Sequence, residues 1–111
     1  MFDDVRQLRE ADRAQLLGLL SPASPATSAD AYAALPEVLA RGDDTPAAIR
    51  ARIDLTLLTC AEGLVESALY QVDELTKDAR RVRDASGDEE LVAEADRVRD
   101  AVETAAQHST R

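Results

Sequence analysis

The sequence predicts an all-α protein: a helical bundle with one long central helix over about residues 45–85, a shorter antiparallel C-terminal helix and two N-terminal helical segments. Three observations lead there. No run of alternating apolar and polar residues survives four positions without a helical spacing describing it better. Proline, glycine and serine fall at a few places only and cut the chain into four helical pieces. Within each piece the apolar residues recur every three or four positions, as one buried helix face requires. The chain has 111 residues, which suits one helical domain spanning 1–111, since domains usually run to about 100–150 residues.

The first helix is expected over residues 4–20. Asp3 or Asp4 can cap it, and Phe2 stands before the cap as a hydrophobic staple does. Its apolar positions are Val5, Leu8, Ala11, Leu16, Leu19 and Leu20, with Asp12 and Arg13 turned to water. Residues 21–28, small and carrying Pro22 and Pro25, predict a flexible extended loop. A short helical segment follows over 29–41, with Tyr32, Leu35, Val38 and Leu39 as its apolar side. Pro36 kinks or restarts that segment, because its ring removes a backbone donor and crowds the preceding turn. Gly42 closes it.

Thr45-Pro46 is a strong start signal: a capping hydroxyl followed by proline at the first helical position. With no breaker before Ser86-Gly87, the sequence predicts one helix of about 40 residues, roughly 60 Å long; the alternative is a compact monomeric bundle in which this helix is bent or broken near Gly63. Its main stripe is Ile49, Ile53, Leu57, Cys60, Leu64, Ala68, Val72, Leu75, Ala79 and Val82. That stripe repeats about every 3.67 residues, which suits a nearly straight helix. The last helix is expected to begin with Ser86 or Asp88 as its cap, and Ser86 with Glu89 fits a capping box. Leu91, Ala95, Val98, Val102 and Ala105 then line one face, and the short break at Gly87 implies an antiparallel hairpin. Residues 107–111 are expected to fray.

Charge and composition narrow the function classes. Lys and Arg number 13 against 22 Asp and Glu, a net charge of −9. Direct nucleic-acid binding is not expected, because it relies on a basic footprint. Lys77 is the single lysine among those basic residues, which fits either GC-rich coding or a high-salt cytoplasm. No apolar run approaches the about 20 residues that cross a bilayer. The acidic opening Met1-Phe2-Asp3-Asp4 also lacks the basic region of a secretory signal. One cysteine forms no internal disulfide. The expected setting is cytoplasmic, or within a viral or other macromolecular particle, with no membrane partner.

Residues capable of chemistry are sparse. His108, the single histidine, lies near the C-terminus with no acid at metal-ligand spacing, and it is expected to be a last-turn dipole partner or a frayed surface residue. Cys60 falls on the main apolar stripe, where a buried thiol is inert. Glu62 and Glu66, and Asp73, Glu74 and Asp78, share a helical face that can in principle take Mg²⁺. Lys77, Arg80 and Arg81 follow closely, so salt-bridged, solvated acids are the favoured reading there. The basic cluster Lys77, Arg80, Arg81 and Arg83 suits a helix C-terminus better than a phosphate site. The expectation is no catalytic residue, no metal and no cofactor.

The most informative stretch is 55–61, Leu-Thr-Leu-Leu-Thr-Cys-Ala, two turns without a charge. Thr56, Thr59, Gly63 and Ser67 recur on the side away from the main stripe, where small residues let another helix approach. A helix apolar all round is buried all round, and two short N-terminal segments cover only part of a 60 Å rod. The sequence therefore predicts a non-enzymatic protein–protein interaction module, self-associating as an assembly or adaptor subunit. Its partners are a second copy of itself and another protein, and its interface residues are Leu55, Leu58, Thr59, Gly63, Val65 and Leu69. The alternative is a small acidic regulator, such as an antitoxin, anti-defence protein or nucleic-acid mimic, binding a basic protein surface. Its motive is the charge distribution, −4 over residues 1–44, −1 over 45–86 and −4 over 87–111.

Overall fold

The computed structural model describes residues 7–20 and 45–109. Among them are four helices: α1 Glu10–Gly18, α2 Pro46–Ala61, α3 Val65–Ser86 and α4 Glu89–His108. The all-α bundle that the sequence predicts is the fold. The expected loop at 21–28 and helical segment at 29–41 lie outside the described residues.

The long central helix is two helices. Residues 62–64 separate α2 from α3, and Gly63 takes a left-handed φ of 92°. The turn satisfies the carbonyls that α2 leaves behind. The Gly63 N–H donates to the Cys60 carbonyl at 2.9 Å, and the Leu64 N–H to the Thr59 carbonyl at 3.2 Å. That pair of bonds, with glycine at the left-handed position and an apolar residue after it, is a Schellman stop. The expected 60 Å rod gives way to a body whose longest dimension is 40 Å.

The other boundaries follow local chemistry. Thr45 caps α2 as its sequence implies, its Oγ accepting from the Ala48 N–H at 3.2 Å, with Pro46 at the first position. Gly87, at φ 80°, ends α3, and its N–H donates to the Arg83 carbonyl at 2.7 Å. Of the two expected caps for α4, Asp88 takes the N-cap position, without a side-chain capping bond, and the Ser86–Glu89 capping box does not form. Ser86 belongs to α3, where its hydroxyl donates to the Val82 carbonyl at 2.8 Å and accepts from the Asp88 N–H at 3.3 Å. α1 starts later than expected, with Arg9 extended at its N-terminus and Glu10 and Asp12 in its first turn, where carboxylates suit the helix dipole. α4 continues through Gln107 and His108, two residues into the tail expected to fray.

Ion pairs fix the directions of the helices. Arg52 near the start of α2 reaches Asp78 near the end of α3 at 2.8 Å. Arg50 reaches Asp88 at 3.0 Å and Glu94 at 2.8 Å, at the start of α4. Successive helices therefore run up, down, up and down, with α1 packed on α2 and α4. Burial raises the Asp78 carboxyl, but the hydrogen bonds from Arg52 and Arg81 outweigh it and hold it below its usual range. Arg50 is raised, chiefly by its bond to Asp88.

The core joins the predicted stripes. Ile49, Ile53, Leu57, Cys60, Ala68, Val72, Leu75, Ala79 and Val82 pack with Leu91, Ala95, Val98, Val102 and Ala105. Leu64, expected on the stripe, is only half-buried because it sits in the turn, and Val65 takes its place inside. Burying aliphatic side chains at roughly 1.5–3 kcal/mol each outweighs what any single surface ion pair supplies.

Gly63→Ala places a Cβ on a left-handed residue, and this costs about 1–2 kcal/mol. Urea unfolding should report that loss with helicity unchanged. An unaltered midpoint would show that the turn tolerates a side chain.

Candidate functional site

Two regions hold the candidate residues. The first is the far side of α2. In the single chain Leu55 and Leu58 are buried, at 5% and 7% exposure, outside the main core cluster. Thr59, Gly63 and Val65 are buried too, and Leu69 is half-buried. Val65 belongs to the core cluster, and Leu69 packs against it. Of the six residues expected at an interface, Leu69 therefore retains the most access to solvent, beside Tyr70, which is 70% exposed.

The hydroxyls in this region turn inward. Thr56 Oγ donates to the Arg52 carbonyl and Thr59 Oγ to the Leu55 carbonyl, both at 2.8 Å. Such back-bonding to the preceding turn satisfies the polar atom and leaves the methyl to pack. These threonines thus behave as small apolar residues, which is how α2 tolerates burial on both sides.

The second region was not legible as a site. Asp12 of α1, expected to face water, is buried at 5% exposure, while Ala11, expected inside, is exposed. His108 Nδ1 of α4 stands 3.0 and 3.3 Å from the two Asp12 carboxylate oxygens. Arg9 Nε adds a looser contact to Asp12 at 3.5 Å. Cys60, at the end of α2, belongs to the same junction: burial pushes its thiol up to about 11, and the nearby Asp12 charge adds to the rise.

Asp12 thus ties α1 to α4 through His108, and its charge reaches the Cys60 thiol on α2. This arrangement does not activate the thiol. A nucleophilic cysteine needs a stabilised thiolate, whereas here burial and the Asp12 charge both disfavour it. A spacing signal for Asp12 exists in the sequence: Leu8, Asp12 and Leu16 stand four apart on one face, and a polar residue inside such a stripe demands a buried partner. Nothing local marks His108 as that partner.

The acidic face resolves into pairs. Asp73 meets Lys77 at 3.4 Å, and Asp78 meets Arg52 and Arg81 at 2.8 and 3.1 Å. Glu62 lies in the turn, so it does not share a helical face with Glu66. Among the described residues no three His, Cys, Asp or Glu side chains gather where they can hold a metal ion. In the basic cluster, Arg83 pairs with Asp84 at 3.1 Å. Among the described residues no helix is long and apolar enough to cross a membrane.

Comparison with known protein families, with curated proteins and with solved structures returns no match.

The junction makes alkaline stability a direct readout. A thiol held above its unfolded value keeps its proton longer in the folded chain, so stability is full below about pH 9 and falls as pH rises towards about 11. The loss attributable to Cys60 is at most about 3 kcal/mol. Cys60→Ala should flatten the fall in unfolding free energy across that window relative to the parent chain. Equal slopes for the two proteins would contradict the assignment.

Proposed function

We propose that the chain is a non-enzymatic helical protein–protein interaction module that self-associates as an assembly or adaptor subunit of a larger complex or particle. The observation that supports this reading is the two-sided apolar character of α2. One side, Ile49, Ile53, Leu57 and Cys60, serves the bundle core. The other carries Leu55, Leu58 and Thr59, with no charged side chain from 55 to 61. A helix needs one apolar stripe to join one bundle, and a second stripe suits a second helical neighbour. Leu55, Leu58 and Thr59 are covered within the single chain, so a second copy engages them by displacing their cover, while Leu69 and Tyr70 on α3 offer the accessible rim.

The alternative, an acidic regulator docking on a basic protein, has its own support. Glu89, Asp96 and Asp100 are exposed along one face of α4, successively seven and four residues apart as a helical stripe requires. The cytoplasm, or the interior of a particle, is the setting assigned to either reading.

Solution mass by light scattering at low and high salt separates them. Apolar assembly gives an oligomer that persists or strengthens as salt rises, whereas docking through carboxylates weakens as charge is screened. A salt-resistant oligomer that Leu69→Glu with Tyr70→Glu dissociates is the expected result. A monomer at both salts overturns self-association, and salt-labile capture by a basic protein then supports the alternative.

A further inference from the structure

We infer that α1 is a strap, held shut over the end of α2 by the Asp12–His108 pair, that opens as a unit while α2, α3 and α4 stay folded. The observations behind it are independent of the proposed function.

α1 has little intrinsic claim to stability. It is 9 residues long, and isolated helices below about 12–15 residues are marginal in water. Arg9 makes no side-chain cap, and no basic residue sits in the last turn. Within α1 only Asp12 and Leu16 are buried. Helices α3 and α4, by contrast, run 22 and 20 residues and bury 7 and 6 side chains.

The attachment is uneven along its length. At its N-terminal end the Asp12 carboxylate meets His108, and Leu16 is fully buried in the core cluster. At its other end two clefts open against α4. One, of about 250 Å³, lies between Gly18, Leu19 and Leu20 and the side chains of Arg50, Glu94 and Arg97. The other, of about 230 Å³, lies between Gln15 and Leu19 and the stretch from Arg97 to Thr104. A segment with few buried apolar contacts and imperfect packing opens at lower free energy than the core it rests on. The hydrogen bond between His108 and the buried Asp12 is then the closest polar clasp of α1, because a buried carboxylate that loses its nearest partner loses much of the compensation for its desolvation.

Opening uncovers Cys60, which is wholly buried when α1 is seated. That thiol is a built-in reporter, and it belongs to the one cysteine in the chain.

The test follows Cys60 labelling of the full chain by a chromogenic aromatic disulfide, at increasing urea below the unfolding transition. A strap gives a labelling rate with a urea dependence well below that of global unfolding, since little surface is exposed in the open form. Asp12→Asn and His108→Gln should each raise the rate about tenfold, while the main helical transition moves far less. Labelling whose urea dependence equals that of global unfolding overturns the strap, and the unmodified chain alone decides that point should either variant fail to fold. Acceleration that only matches each variant's shift of the global transition overturns it as well.

Discussion

The left-handed turn at Gly63 is the constraint on which the rest of the bundle depends. It converts an uninterrupted helical stretch into the antiparallel pair α2 and α3. With the chain reversed there, Arg52 comes within 2.8 Å of Asp78, although the two are far apart in sequence. The second reversal, at Gly87, brings α4 alongside, and Arg50 ties it to the start of α2 through Asp88 and Glu94. The stripe from Ile49 to Val82 then closes on itself as a core instead of running along a rod. Two left-handed glycines thus set the topology, and aliphatic burial supplies the energy.

Most of the architecture was legible because its signals are local. Thr45-Pro46 and Gly87 mark ends through backbone chemistry that needs no tertiary partner. The stripes on α3 and α4 follow from periodicity alone. The break at Gly63 stood only as the alternative to a continuous helix, for a physical reason: a lone glycine inside a helix costs only about 1 kcal/mol, and the apolar stripe continues in register on both sides of it. The decisive clue is Leu64, since glycine followed by an apolar residue is the pattern of a Schellman stop. The candidate site was less legible. The apolar residues of α2 could be named, but which helix covers each side is a tertiary outcome that alanine-rich neighbours leave open. Asp12 and His108 lie at opposite ends of the chain, and their pairing carries no local signal.

The shorter α2 also changes the argument for association. A rod of about 60 Å would leave its middle bare, whereas a 16-residue helix is short enough to be enclosed by its own chain. What remains is the surplus of apolar character: Leu55, Leu58 and the back-bonded Thr59 on one side, and a full core stripe on the other. The buried Asp12 has a comparable logic beside the C-terminal end of α2. Aliphatic packing is tolerant of register, while a carboxylate that must find an imidazole admits one seating of α1. Apolar surface supplies cohesion here, and the polar junction supplies position.

The reversal at Gly63 is tested most directly by a distance between spin labels at the exposed positions Ala51 and Lys77, in a Cys60→Ser background diluted with unlabelled chain. Helices packed side by side with axes about 8–10 Å apart place the labels within about 20 Å of one another. An uninterrupted helix at 1.5 Å per residue places them about 39 Å apart. A short distance supports the bundle described above; the long one would contradict it.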